Sequence, residues 1–300
     1  MKKYLLIVLT SLALGCKSGS NDAIEIKLKL PKGAKYEYAL EMDMNMKQKM
    51  MEKDMDIKNS MGYSYLLEVL NDSANWKTVS CIIHKINMSM NAMGRTMHFD
   101  SEEITDTTGP MGIMAKIFGA MKGSKFSFTV NDNGEIGEMS GVKAMQEKML
   151  AGIGIPNTAE ALEGLKNTID DESLRENMQQ AFAAYPGKPV KPGDSWTKAL
   201  VQKTQGITIK LDNTYTLESV KGNDALIKLS SKLNSGGPAT VNNTEMNITG
   251  TSEGNIHYDL TTGMMTTGNI DMKMDMKVKT AQTEMPMIVN MKITTKGKKI

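Results

Sequence analysis

The chain has 300 residues, with 36 Lys and Arg against 34 Asp and Glu, and 28 Met beside only 5 Phe and 2 Trp. That length suffices for one large or two medium domains. The near-balanced charge and the lack of a long basic run argue against a nucleic-acid partner, and the scarcity of aromatic residues argues against glycan recognition by stacking.

Lys2 and Lys3 precede an apolar run, Tyr4 to Leu14, too short to cross a bilayer as a helix, and Gly15 and Cys16 follow. This is the layout of a secretory signal peptide over residues 1–15, set aside from fold reasoning. Leu-Ala-Leu-Gly directly before Cys16 resembles the lipobox of bacterial lipoproteins. The resemblance implies acylation of Cys16, with palmitate-type chains, as the first residue of the mature protein. Each buried CH₂ of such an anchor contributes about 0.8 kcal/mol. The alternative is ordinary cleavage that leaves Cys16 a free thiol. Residues 16–23 then read as the lipidated Cys and a flexible tether. Lys17 stands where many inner-membrane lipoproteins carry Asp, so sorting by analogy points to the outer membrane, facing the periplasm or the cell surface. Removal of residues 1–15 takes away Lys2 and Lys3 and no acid, leaving 34 basic and 34 acidic residues. With Cys16 acylated, Cys81 has no partner within the chain, and stability must come from the core.

From Tyr36 to Met50 the even positions are Tyr36, Tyr38, Leu40, Met42, Met44, Met46, Gln48 and Met50, and the odd ones are mostly charged. That is period two, a strand with one buried face. Its length would reach roughly 50 Å, long for a globular sheet. Glu52-Lys53-Asp54 reads as a hairpin turn into a second strand from Ile57 to Val69. Strands are also expected from Trp76 to Met90, Thr96 to Ile104 and around Phe126 to Val130, with a tight turn at Asn133-Gly134. Helices are expected at Pro110 to Met121, Val142 to Leu150, Thr158 to Asn167 and Asp171 to Ala184. Asp171 could cap the last, Pro186 would stop it, and Leu174, Met178, Ala181 and Phe182 form its apolar stripe. Beyond the Pro/Gly-rich residues 186–195, strands return at Ser195 to Lys203, Ile207 to Val220, Asp224 to Lys232, Glu245 to Leu260, Met264 to Lys279 and Met285 to Thr295.

Strands, then helices, then strands predict a mostly β or α+β fold of long, curved antiparallel sheets. The expected units are an N-terminal β unit (24–140), a helical segment (141–186) and a C-terminal β unit (187–300). The two β units share enough patterning to suggest either internal duplication or merely common strand periodicity.

Together, the lipobox, the His98 to Glu103 segment (HFDSEE) and the Pro186 to Trp196 segment (PGKPVKPGDSW) resemble a family of uncharacterised lipoproteins from Bacteroidetes, a domain of unknown function. The resemblance implies an envelope location and this architecture, and it transfers no catalytic residue. Long curved sheets with helices are also similar to carriers that ferry lipoproteins or lipids across the periplasm.

The chemistry-bearing patterns come down to methionine. Met42, Met44 and Met46, and Met272, Met274 and Met276, lie on apolar strand faces. Met is unbranched and adapts to irregular apolar partners, so these six are candidates for a ligand-binding sheet face; an ordinary Met-biased core is the alternative. Thioethers also suit Cu(I), and His84, His98 and His257 could add nitrogens, which keeps copper binding or buffering open. A purely architectural envelope role is a third reading. Gly193-Asp194-Ser195 and Asp132-Asn133-Gly134-Glu135 read as turns rather than a hydrolase motif or a calcium loop. Asp43, Asp54, Asp56, Asp271 and Asp275 read as a solvated face, and Cys81 as a buried inert thiol. There is no phosphate loop or dinucleotide fingerprint, and no acid/base or nucleophile set assembles at meaningful spacing, so no enzymatic activity and no cofactor or metal are expected. The expected protein is a membrane-anchored, non-catalytic lipoprotein that binds an apolar ligand or an envelope partner.

Overall fold

The computed structural model describes residues 22–300 except 51–52, 74, 93, 104–109, 155–169, 205–206, 238, 242–243 and 280–282. The signal peptide, Cys16 and the expected helix over Thr158 to Asn167 therefore lie outside the described residues.

Alternating sequence gives the expected long strands. β1 (Lys35–Met50), β2 (Lys53–Asp72), β3 (Lys77–Ala92), β4 (Arg95–Asp100), β5 (Lys125–Val130) and β6 (Ile136–Ser140) precede β7 (Ser195–Thr204), β8 (Ile207–Lys221) and β9 (Asp224–Asn234). β10 (Ala239–Val241), β11 (Thr244–Asp259), β12 (Met265–Lys279) and β13 (Glu284–Lys299) complete the series. The described helices are α1 (Pro110–Met121), α2 (Val142–Ile153) and α3 (Asp171–Ala181). The first hairpin is tighter than the expected turn: Met50 pairs with Lys53, so Lys53 and Asp54 already belong to β2. The cap of α3 is Asp170, not Asp171; its carboxylate accepts from the Ser173 amide at 2.6 Å. Asp171 and Glu172 instead occupy the first turn, where they complement the helix dipole.

All thirteen described strands join one antiparallel sheet, in the order β6-β5-β3-β2-β1-β13-β12-β11-β9-β8-β7, with β4 on β3 and β10 on β11. The two runs of strands are thus two flanks of a single sheet, joined where β1 lies against β13. The sheet is open, with β6 and β7 at its edges, and it curls until α3 touches both. At β6, the Gln179 side-chain amide accepts from the Ile136 amide at 2.9 Å and donates to the Gly134 carbonyl at 2.9 Å. At β7, Gln202 donates to Asn177 at 3.0 Å.

One end of the curl is filled. Residues Ile26, Leu28 and Leu30 are buried although they form no strand. Their segment crosses the end of the curl, with the Leu28 amide donating to the Asp132 carbonyl and the Lys29 amide to the Thr262 carbonyl, both at 2.8 Å. Around them pack Tyr36, Leu67, Phe128, Tyr185, Leu217 and Tyr258, drawn from both flanks. A second cluster joins β3 and β4 to α1 and α2 through Ile86, Phe99, Ala115 and Met145. A third, Ile207, Leu211, Leu233 and Ile248, lies on β8, β9 and β11.

The crossing segment is locked at Gly263. Its φ of +70° is left-handed, and a Cβ there would meet the Lys27 carbonyl oxygen at 2.0 Å. The Tyr185 hydroxyl donates to the Gly263 carbonyl at 2.7 Å, holding the same turn from the other side. Gly263→Ala should therefore lower unfolding stability by about 2–4 kcal/mol, through left-handed strain plus displacement of the crossing segment. The urea midpoint measures it, and a shift indistinguishable from that of Gly33→Ala, where a Cβ meets nothing within 4 Å, would show that the segment is not clamped.

Candidate functional site

In an antiparallel sheet, directly opposed residues point to the same face. The register therefore builds the inner face row by row. Met42 lies between Met61 on β2 and Ile293 on β13, with Ile270 beyond. Met44 lies between Asn59 and Met291, with Met272 beyond Met291. Met46 lies between Ile57 and Val289, with Met274 beyond. Gln48 faces Met287, with Met276 beyond. All six candidate methionines share this face. The β1 and β12 sets are not adjacent, because β13 stands between them and holds them about 9–10 Å apart. Met291 and Met287 fill that gap; their strand parity was legible, but the position of their strand was not.

These methionines are neither sealed nor free. Along β12 the burial alternates strictly, with Met272, Met274, Met276 and Val278 half-buried and the residues between them exposed. Met42, Met44 and Met46 are likewise half-buried. Met272, Met274 and Met276 lean on the Leu211 and Leu233 cluster, whereas Met42, Met44 and Met46 belong to none of the three clusters. The result is a half-buried apolar face along β2, β1 and β13, interrupted by the fully buried Val289, between the helix-covered cluster on the β3 side and the Leu211 and Leu233 cluster on the other.

At the core end of this face lies an aromatic pair. Tyr38 and Tyr65 stack with ring centroids 5.5 Å apart. Gly297 lies opposite Tyr38, and a Cβ there would meet the ring at 2.3 Å. The Tyr38 hydroxyl donates to the Met265 carbonyl at 2.8 Å. Burial pushes the Tyr38 and Tyr65 phenols up, so both stay neutral at physiological pH. A cavity of about 30 Å³ remains beneath α3, touched by Tyr38, Tyr65, Met178, Phe182 and Met265. Two polar atoms on the Met44 row have no partner: Asn59 Oδ1 on the β2 side and Ser231 Oγ on β9.

The other candidates fall elsewhere. His84 and His98 are exposed, and His257 Nδ1 lies 2.9 Å from Asp224 on the outer side of β11. No histidine joins the Met face. His98, Asp100 and Glu103 bring ligand atoms within 4.8 Å of one another. Asp100 is, however, already engaged by Lys85 at 2.8 Å. Partial burial opposes the Asp100 charge, but the Lys85 bond outweighs it and holds the carboxyl below its ordinary range. Asp132 to Glu135 form a turn in which the Asn131 carboxamide oxygen accepts from the Asn133 and Glu135 amides, and residues 191–194 form another, closed by the Asp194 amide on the Lys191 carbonyl.

The protein is thus an open, curled antiparallel sheet with a dry core at one end and a half-open, Met-lined inner face beyond it. A family of unknown function, DUF6263, matches residues 74–265, about two thirds of the chain, and the chain belongs to that family. No curated protein matches it. Among solved structures it is similar to lipovitellin, in a structure described for its lipid–protein interactions, at 9% identity and a TM-score of 0.47. That match covers 90% of this chain and 25% of lipovitellin, so the chain spans a quarter of that protein's length. It is also similar to an outer-membrane channel from Pseudomonas putida F1 (8% identity, TM-score 0.25, 90% and 97% covered). The translocator domain of the autotransporter NalP from Neisseria meningitidis follows (7% identity, TM-score 0.23, 90% of both chains). None of these three likenesses carries an argument about function. No helix among the described residues is long and apolar enough to cross a membrane.

Cys81 sits in the core at 3% exposure, and burial pushes its thiol up to about 12. The unfolded chain releases that proton near 8.5, while the folded one holds it. The contribution to stability is therefore complete below about pH 8.5 and is lost as pH rises toward 12. The urea midpoint of the native protein should fall more steeply between pH 8 and 10.5 than that of Cys81→Ala; parallel profiles would place the thiol in contact with solvent.

Proposed function

We propose that this is a membrane-anchored envelope lipoprotein without catalytic activity that binds an apolar molecule in the Met-lined trough. The observation that carries the reading is the half-burial of Met42, Met44, Met46, Met272, Met274 and Met276 on one face, directly beyond a core that is otherwise closed. A face meant only for the interior would be covered, and one meant for water would not be apolar across four strands. Methionine suits a trough that must accept an irregular, flexible guest. The unpaired Asn59 Oδ1 beside Met44 favours a guest with one hydrogen-bonding group, such as an alcohol or ester amphiphile, because an orphan atom costs about 1–3 kcal/mol until it is paired. The anchor reading rests on the Lys2 to Cys16 motif.

A second reading, Cu(I) binding, is favoured by one feature: Met44, Met291 and Met272 stand consecutively on one row, so three thioethers are cross-strand neighbours. One variant separates the two. Replacing Met42, Met44, Met272 and Met274 by Leu conserves volume and apolarity, so a fluorescent apolar probe such as N-phenylnaphthylamine should bind within about twofold of wild type. Met44→Lys with Met272→Lys should weaken the probe by about tenfold or more. Loss of chelator-competed Cu(I) affinity in the Leu variant would favour copper; indifference of the probe to the Lys pair would remove the trough.

The anchor has its own test. Cys16→Ser should move the protein from the membrane fraction to the soluble fraction and abolish incorporation of labelled palmitate. Unchanged fractionation would contradict acylation at this position.

A further inference from the structure

The opposite face of the same strands carries a second feature. Over the middle of β3, β2, β1, β13, β12 and β11 the outer face is concave and encloses a groove of about 670 Å³, within the range of small-ligand sites. Two cross-strand rows form its walls, and Met44, Asn59, Met272 and Met291, which lie between those rows along their strands, line it as well. The first runs Ser89, Ser60, Asp43, Lys292, Asp271, Glu253. The second, two residues along each strand and so about 6.7 Å away, runs Asn91, Lys58, Asn45, Asn290, Lys273, Thr251. Six strands span about 24 Å.

The rows differ in sign. The first has three carboxylates and one ammonium; the second has two ammoniums, three carboxamides and no carboxylate. Lys292 lies directly between Asp43 and Asp271 in the register, yet among the described residues none of these charges closes an ion pair within 4 Å. Elsewhere on the same outer face, opposed charges do close: Lys298 meets Glu37 at 2.9 Å and Lys35 meets Glu68 at 3.6 Å. At the centre of the groove, Asn45 Oδ1 is buried without a partner. Within the two rows, then, exposed charges that are not paired with one another flank a buried polar atom, Asn45 Oδ1, that its neighbours leave unpaired.

The shape and chemistry narrow the occupant. Concavity rules out a flat bilayer or a second concave face. Among the described residues no aromatic side chain lines the groove, so they offer sugars or bases no stacking platform. The two signs on parallel rows, with carboxamides between the charges, suit an extended peptide. Its alternate side chains point to opposite edges, and its N–H and C=O groups match a carboxamide, which both donates and accepts. We propose that this groove binds an extended peptide segment of about seven residues whose basic side chains lie along the Asp43–Asp271–Glu253 row and whose acidic side chains lie along the Lys58–Lys273 row.

The test uses the full mature protein and three fluorescein-labelled octapeptides, (Lys-Glu)₄, (Lys-Ser)₄ and (Glu-Ser)₄, read by anisotropy, with chitohexaose as a competitor. The alternating peptide should bind at least about tenfold tighter than either single-sign peptide and weaken with added salt. Lys58→Ser with Lys273→Ser should cost about tenfold more, with the melting temperature unchanged because both side chains are exposed. Asn45→Ala should weaken the peptide while leaving the melting temperature unchanged or higher; a merely structural Asn45 would lower it. Equal binding of all three peptides, no binding at millimolar concentration, displacement by chitohexaose, or indifference to the Lys substitutions would overturn the proposal. The Lys58 and Lys273 substitutions leave Met44 and Met272 in place, so loss of the peptide with the apolar probe retained separates this proposal from the reading of the Met face.

Discussion

The pairing of β1 with β13 is the constraint on which the rest depends. It runs from Tyr36–Lys299 to Gln48–Met287 without interruption, and it turns two runs of strands far apart in sequence into one sheet. Because side chains alternate with period two, this register fixes which face every residue takes; a slip of one position would send the Met42 to Met46 set outward and the Asp43 and Lys47 set inward. Joining the ends of the chain also brings the β2 and β12 hairpins to either side of the seam. The trough and the polar groove are thus the two faces of one joint.

The curl then treats the two ends of the sheet differently. At the Tyr36 end, the crossing segment with Ile26, Leu28 and Leu30, the Tyr185–Tyr258 pair at 5.5 Å and the buried Trp196, whose indole donates to the Ala184 carbonyl at 3.1 Å, fill the interior at the close packing usual for cores. Toward the Met46 end only Val289 and the Ile207, Leu211, Leu233 and Ile248 cluster are fully buried, and the inward residues of β1 and β12 are mostly half-buried Met. α3 bridges the open edges with two side-chain amides, a joint made from a few hydrogen bonds rather than a strand ladder.

Much of this was legible in sequence, for a stated reason in each case. Strand parity is local, so the inward set of β1 and the burial of Cys81 could be read directly, as could the limits of α1. Of the expected stripe Leu174, Met178, Ala181 and Phe182, helical spacing placed Leu174 and Met178 against the core, whereas Ala181 is exposed and Phe182 lies just past the helix, which ends at Ala181 rather than Ala184. Partner choice is not local. The Met/Lys/Asp alternation of β1, β12 and β13 is nearly interchangeable, so nothing in it says that β13 rather than β12 lies beside β1, or that Met291 completes a row with Met44 and Met272. Ile26, Leu28 and Leu30 alternate as a strand would, yet they form no ladder; their burial comes from the curl, which has no linear signature. The groove on the outer face likewise has no linear signature, and it gives Asp43, Lys58 and Asn45 a setting that alternation alone reads as solvated.

The central claim is that the Met face is open to an apolar guest. Methionine methyl groups offer a direct measurement: label them with ¹³C and add a stearate carrying a nitroxide on its chain. The methyl signals of Met42, Met44, Met46, Met272, Met274 and Met276 should broaden selectively at substoichiometric spin label, while those of the buried Met145, Met149 and Met264 stay sharp. Broadening confined to other methionines, or uniform across all of them, would contradict the claim.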